Sequence, residues 1–109
     1  MIEGVTLETF RGDYEALESI VREFPNAALY HNNLAWLAAR SARRLDDALR
    51  HAQRAVELMP DHAGHLDTLA EVHFQRGARD EALRLEKRAL ELDPDSKTFQ
   101  LQLERFEKG

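Results

Sequence analysis

Asp46 to Asp61 reads DDALRHAQRAVELMPD, and Asp80 to Asp95 reads DEALRLEKRALELDPD. Ten of the sixteen positions are identical, and the blocks lie 34 residues apart. Self-similarity at this period marks an array of helical hairpins, in which each unit buries its apolar face only by stacking on a neighbour. The punctuation around the blocks agrees. Pro25, Pro60 and Pro94 follow one another at 35 and 34 residues, each behind a helix-like apolar pattern. A proline ends a helix near the residue before it. Between Pro60 and Pro94 the pattern divides at Gly77, a residue suited to the left-handed position that closes a helix. Leu66, Leu69, Ala70, Val72 and His73 share one helical face upstream of it, and Ala82, Leu85, Ala89 and Leu92 share one downstream. Asp80 and Glu81 then stand in a first turn, where the helix dipole favours negative charge. The unit is helix, short turn, helix, proline.

The stretch from about Ala27 to Asp95 resembles the tetratricopeptide repeat, whose pattern spaces Trp, Leu, Gly, Tyr, Ala, Phe and Pro over 34 residues. The matching residues are Leu66, Leu69, Ala70, His73, Gly77, Ala82, Ala89 and Pro94 in one repeat. In the repeat before it they are His31, Leu34, Ala35, Ala38, Ala48, Ala52, Ala55 and Pro60. Small residues at Ala35 and Ala70 let the first helix of each hairpin lie close to Ala48 and Ala82 of the second. The sequence departs from the pattern in three places. Glu86 replaces the usual large aromatic, the first repeat has no turn glycine, and one extra residue falls within Ser41–Leu45. The resemblance implies an all-α, right-handed helical-hairpin solenoid of two repeats, with a preceding helix and a C-terminal capping helix.

The flanks set the limits of the array. A shift of 34 residues places Leu69 on Leu103, Val72 on Phe106 and Ala70 on Glu104. Apolar core positions persist while the close-contact alanine becomes a charge, as befits a terminal helix with a polar outer face. Residues 96–107 are therefore read as a cap, with Phe99, Leu103 and Phe106 inward. At the other end Tyr14, Leu17, Ile20, Val21 and Phe24 form a stripe ending at Pro25, like the second helix of a preceding repeat. A turn at Gly12 would start that helix, giving a partial repeat over 13–25 ahead of repeats at 27–60 and 62–94. The rival is one helix through Gly12, since Leu7, Phe10, Tyr14, Leu17, Val21 and Phe24 keep a 3.5-residue spacing. Either way the chain reads as a C-terminal domain beginning in mid-repeat.

Composition narrows the function. The chain has 109 residues and no cysteine, so neither a disulfide framework nor a thiolate zinc site is available. A net charge of −5, with the signs interspersed, gives no basic footprint for nucleic acid. No apolar run approaches the roughly 20 residues of a membrane span, and the acidic start is unlike a secretory signal. The expectation is a cytoplasmic protein or a soluble domain of a longer one. There is no Gly-rich phosphate loop, nucleophile elbow or HExxH motif, so no enzyme activity and no cofactor are expected. His62 and His65 have a spacing that could place two imidazoles on one helical face. A polar turn leading into a helix accounts for both without a metal, because no motif supplies a third ligand.

In the tetratricopeptide repeat the first helices of successive hairpins line a concave groove, and the resemblance implies the same here. Residues in repeat register then form ladders: Asn33, Thr68 and Gln102; Trp36, Glu71 and Arg105; Asn32, Asp67 and Leu101. The candidate groove residues are Asn32, Asn33, Trp36, Arg40, Asp67, Thr68, Glu71, Gln102 and Arg105. Amides can bond an extended peptide backbone, and Trp36 offers an apolar anchor with one donor. Some relatives clamp a terminal carboxylate with Lys, Arg and Asn. Here Asp67 and Glu71 would occupy the floor, which disfavours an acidic tail and favours a basic or mixed segment. The function expected is a non-enzymatic protein- or peptide-binding scaffold. The alternatives are a regulatory domain of a larger protein, or homodimerisation through Leu17, Val21 and Phe24 on an uncovered N-terminal face.

Overall fold

The computed structural model describes residues 7–109, with side chains from Thr9 onward. Among these residues there are six helices and no strand: α1 (Leu7–Glu23), α2 (Ala28–Arg40), α3 (Leu45–Leu58), α4 (Ala63–Gln75), α5 (Arg79–Leu92) and α6 (Lys97–Lys108). The two most intimate pairings are α2 with α3 and α4 with α5, the two hairpins. The hairpins stack through α3 on α4 and α2 on α4, while α1 covers α2 and α6 covers α5.

Alanine makes this stacking possible. Ala35, Ala38, Ala39, Ala52, Ala55, Ala70, Ala82 and Ala89 are fully buried. With only a methyl group at each contact, helices approach at the short end of the usual 8–10 Å separation. Leu34, Leu66, Leu69, Val72, Leu85 and Phe106 fill the spaces between. Leu85, beside the departure at Glu86, is buried in the same core.

The helix starts are chemically distinct. The His62 ring accepts the His65 backbone N–H at 3.2 Å, and the Ser96 hydroxyl accepts that of Phe99 at 3.2 Å. Each satisfies one of the N–H groups left open at a helix start. His62 and His65 thus form a helix cap, with their rings stacked at 3.7 Å.

The turns show where the extra residue went. Both hairpins close α2 and α4 with the same pair of backbone bonds. Arg43 N donates to Ala38 O, as Ala78 N does to His73 O; Ala42 N donates to Ala39 O, as Gly77 N does to Phe74 O. Ala42, at φ 53°, therefore occupies the left-handed position that Gly77 takes at φ 86°. The additional residue is Arg44, also left-handed at φ 52°, whose guanidinium lies 4.5 Å from the Tyr14 ring centroid and bonds Asp47. A left-handed residue with a Cβ costs about 1–2 kcal/mol, partly offset by its lower freedom in the unfolded chain. Ala42→Gly is therefore expected to stabilise the protein by about 0.5–1 kcal/mol. Gly77→Ala is expected to destabilise it by about as much, through the backbone alone, since nothing lies within 4 Å of the added Cβ. Urea denaturation of the two variants checks both signs.

The turn expected at Gly12 does not form; α1 runs through it unbroken. Gly12 faces solvent with nothing within 4 Å of a notional Cβ. Phe10 and Tyr14 on the opposite face are buried at 4% and 2% exposure, their rings 5.5 Å apart. Burial of two aromatics outweighs the roughly 1 kcal/mol that glycine costs in a helix interior. Leu7 begins α1, and its side chain lies outside the described residues. On the N-terminal face Val21 is buried and Leu17 half-buried, while Phe24 stays exposed beside Tyr30, the rings 5.8 Å apart. In α6, Phe106 is fully buried and Phe99 and Leu103 half-buried, with Glu104, Glu107 and Lys108 in water.

Candidate functional site

Helices α2, α4 and α6 contribute one wall each to a groove of about 330 Å³, lined by Trp36, Arg40, Asp67, Thr98, Leu101, Gln102 and Arg105. The successive first-helix positions face the same space because the hairpins stack in register. Trp36 is half-buried and Leu101 is 65% exposed, so the rims are apolar. The floor is charged, and its central carboxylate is fully engaged. Glu71, with no exposure at all, accepts from Arg40 Nη1 at 2.9 Å and from Arg105 Nη2 through both carboxylate oxygens. Arg105 also donates from Nε and Nη2 to Gln102 Oε1, at 3.1 and 3.0 Å. Its guanidinium sits 5.0 Å from the centroids of both Phe74 and Phe106, and that of Arg40 lies 5.2 Å from Trp36. Two cations sharing one buried carboxylate and stacked on rings are held in place, yet each keeps about a third of its side-chain surface open.

Beneath the floor lies a second acid pair. Glu86 is fully buried, and neither carboxylate oxygen meets a protein donor. Burial, then the hydrogen bond and charge of Asp67, push its pKa up to about 10. Glu86 therefore holds a proton at neutral pH and donates it to Asp67. The Asp67 carboxyl is also raised, chiefly by burial, although the Glu86 hydrogen bond and the charges of Arg105 and Arg40 act the other way. Two buried carboxyls side by side share one proton because both cannot ionise.

Five of the nine residues expected in the groove line it: Trp36, Arg40, Asp67, Gln102 and Arg105. Thr68 is buried and donates its hydroxyl back to Gly64 O at 3.1 Å, so it belongs to its own helix. Glu71 lies under the two arginines, out of a ligand's reach. Asn32 is half-buried and Asn33 exposed, both away from the groove lining. Thr98, in the first turn of α6, went unrecognised in the sequence; shifting the repeat by a further turn along the same face would have reached it. The expectation of a basic ligand loses the half of its support that lay in Glu71, because the groups at the surface above that carboxylate are guanidiniums.

Another recess of about 390 Å³ lies on the α1 flank, among Phe10, Arg11, Tyr14, Glu15, Glu18, Arg43 and Arg44. Arg43 and Arg44 there lie over Phe10 and Tyr14. His31 and His51 meet at 3.0 Å between their Nδ1 atoms, with His31 Nε2 on Pro25 O at 2.8 Å. That second contact makes Nε2 the protonated nitrogen of His31, so its Nδ1 accepts from His51. Burial first, then Arg50 and His31, lowers the His51 pKa to about 4. Among the described residues, no three His, Cys, Asp or Glu side chains are grouped to hold a metal ion. No helix among them is long and apolar enough to cross a membrane.

Solved structures share this arrangement. The first tetratricopeptide domain of human RPAP3 superposes with a TM-score of 0.82 at 17% identity, covering 93% of this chain and 79% of that one. The fold is that of a tetratricopeptide-repeat domain. The first such domain of Spaghetti (RPAP3), bound to the HSP90 peptide SRMEEVD, matches at the same TM-score, identity and coverage. The second domain of human RPAP3, in complex with the HSP70 peptide SGPTIEEVD, matches at 0.81 and 17% identity, over 94% of this chain and 84% of that one. No protein-family model and no curated protein matches the chain.

Proposed function

We propose that the groove across α2, α4 and α6 binds an extended peptide segment of a partner protein, and that the chain is a non-enzymatic scaffold. The observation that carries this reading is the pairing of open apolar rims, Trp36 and Leu101, with a charged floor locked by Glu71. A floor fixed before binding lowers the ordering cost of association. Domains of the same fold occupied by HSP90 and HSP70 peptides support the choice of ligand class. The organisation that goes with it is a preceding helix, α1 (Leu7–Glu23), in place of a partial repeat starting at 13, then repeats at 27–60 and 62–94 and a cap at 96–107, in a cytoplasmic protein or a soluble domain of a longer one. Contacts come from Trp36, Arg40, Leu101, Gln102 and Arg105, with Asn32 and Asn33 at the margin.

Trp36 is the only tryptophan, so intrinsic fluorescence reports on the groove alone. A peptide enriched from a displayed random library is expected to shift Trp36 emission, with a Kd of about 1 μM. Trp36→Ala is expected to weaken that peptide by about 30-fold, the effect of losing a central aromatic anchor, with little change in thermal melting. Binding undiminished in Trp36→Ala would place the peptide elsewhere.

A further inference from the structure

We infer that His31 and His51 form a binding site for a divalent ion of the late first-row transition metals, chelated between their Nδ1 atoms. The two residues come from α2 and α3, and both line a recess of about 390 Å³ whose other walls include Pro25, Asn26, Arg50 and Arg54. The recess shares no residue with the groove across α2, α4 and α6, so the site is independent of the peptide reading. The Nδ1 atoms lie 3.0 Å apart and the ring centroids 5.2 Å apart. Metal–imidazole bonds of about 2.0–2.1 Å hold two nitrogens about 2.9 Å apart at a right angle and about 3.3 Å apart at the tetrahedral angle. The observed distance falls between the two, so the nitrogens already stand at the spacing of neighbouring ligands.

The far nitrogen of His31 is arranged as in a metal ligand. His31 Nε2 donates to Pro25 O at 2.8 Å, and a carbonyl on the far nitrogen fixes the tautomer, orients the ring and raises its basicity. The lone pair of His31 therefore lies on Nδ1, toward His51. His51 is half-buried on the recess wall, and its Nε2 is neither hydrogen-bonded nor sealed from solvent. The ion takes the place of the proton that bridges the rings. The N–H bond at His51 Nδ1 breaks and one forms at His51 Nε2 through solvent, so each ring keeps one proton and no net proton is released. Both arginines of the recess carry an acid partner, Arg50 on Asp47 at 3.2 Å and Arg54 on Glu57 at 3.3 Å, so neither is an uncompensated cation beside the ion. Imidazole nitrogen selects copper, nickel and zinc over magnesium and calcium. Water completes the coordination, since no third His, Cys, Asp or Glu is grouped with the pair among the described residues.

The test adds Zn²⁺, and separately Co²⁺ as its paramagnetic stand-in, to the untagged full chain. Unpaired electrons on Co²⁺ displace and broaden nearby NMR signals. The expected result is that these changes begin at the rings and backbones of His31 and His51, ahead of His62, His65 and His73. Zn²⁺ is expected to raise Tm, because the folded protein holds the two rings together and the unfolded chain does not. His51→Gln is expected to weaken Zn²⁺ binding in calorimetry by about tenfold or more and to remove the rise in Tm. His62→Gln is expected to leave both the affinity and the rise as they are. Changes that start at another histidine, equal zinc affinity in His51→Gln and wild type, or no binding of either ion overturn the site. Should His51→Gln fail to fold, the order in which the wild-type signals respond to Co²⁺ decides alone.

Discussion

Phe106→Ala is expected to destabilise the protein by about 3–5 kcal/mol, the usual cost of removing a fully buried phenylalanine. The ring has no solvent exposure and stacks on Phe74 of α4 at a centroid distance of 4.6 Å. It is the main apolar tie between the cap and the second hairpin, since Phe99 and Leu103 are only half-buried and Leu101 points out. Polar ties add to it: Arg79 of α5 donates from Nε to Phe106 O at 2.8 Å and from Nη2 to Glu107 O. The consequence reaches the groove, because α6 carries Arg105 and Gln102. Loosening the cap frees Arg105 from Glu71 and leaves a fully buried carboxylate with Arg40 as its one remaining partner. For a domain near 100 residues, such a loss lowers Tm by about 15 °C or more. Melting followed by circular dichroism measures it. A fall of only a degree or two would mean that α6 is not docked as described.

Glu86→Gln is expected to act in the opposite direction. The folded-state pKa of Glu86, about 10, stands above the ordinary value of 4.5. Between those values the folded protein binds a proton that the unfolded chain has released, so stability falls as pH rises. This contribution is absent below about pH 4.5 and grows by about 1.4 kcal/mol per pH unit above it, reaching about 3 kcal/mol at pH 7. Glutamine has no proton to take up and still offers Asp67 a donor, though its own oxygen remains unpartnered at a cost of about 1 kcal/mol. The net expectation is a gain of about 2 kcal/mol at pH 7, larger at pH 9 and turned into a loss of about 1 kcal/mol near pH 4. Urea denaturation of both proteins at these three values gives the slopes. Parallel slopes, with the variant weaker throughout, would show that Glu86 is ionised in the folded state.

The hairpins were readable because the repeat stated them twice, with prolines and Gly77 marking the breaks. The Gly12 turn was misread because glycine marks a break only when no larger burial opposes it. The Phe10–Tyr14 pair supplies that burial four residues apart on the far face. Arg44 as the inserted residue could not be read off the chain, because any of the five residues Ser41–Leu45 would satisfy the count. Trp36, Asp67, Leu101, Gln102 and Arg105 of the ladders line one recess, but the ladders treated α2, α4 and α6 as equivalent. They are not. α4 is the central helix, packed by α2, α3 and α5 and bridged to α6 through Glu71 and Arg105, so residues 65–72 are buried on every side. Spacing assigns a residue to a face; it does not tell how much of that face a neighbour covers. For that reason Glu71 looked like a ligand contact and is a brace, while Glu86 looked like a gap in the pattern and is a proton donor beneath Asp67.

The claim that the groove across α2, α4 and α6 is the binding surface is tested most directly by mapping amide, side-chain and methyl shifts in the NMR spectra as a library-selected peptide is titrated in. The account predicts shifts at the Trp36 indole, the Arg40 and Arg105 Nε–H groups, the Gln102 amide and the Leu101 methyls, with Phe10, Tyr14 and Arg43 unmoved. Shifts confined to the recess around Phe10, Arg43 and Arg44, with the Trp36 indole silent, would contradict it.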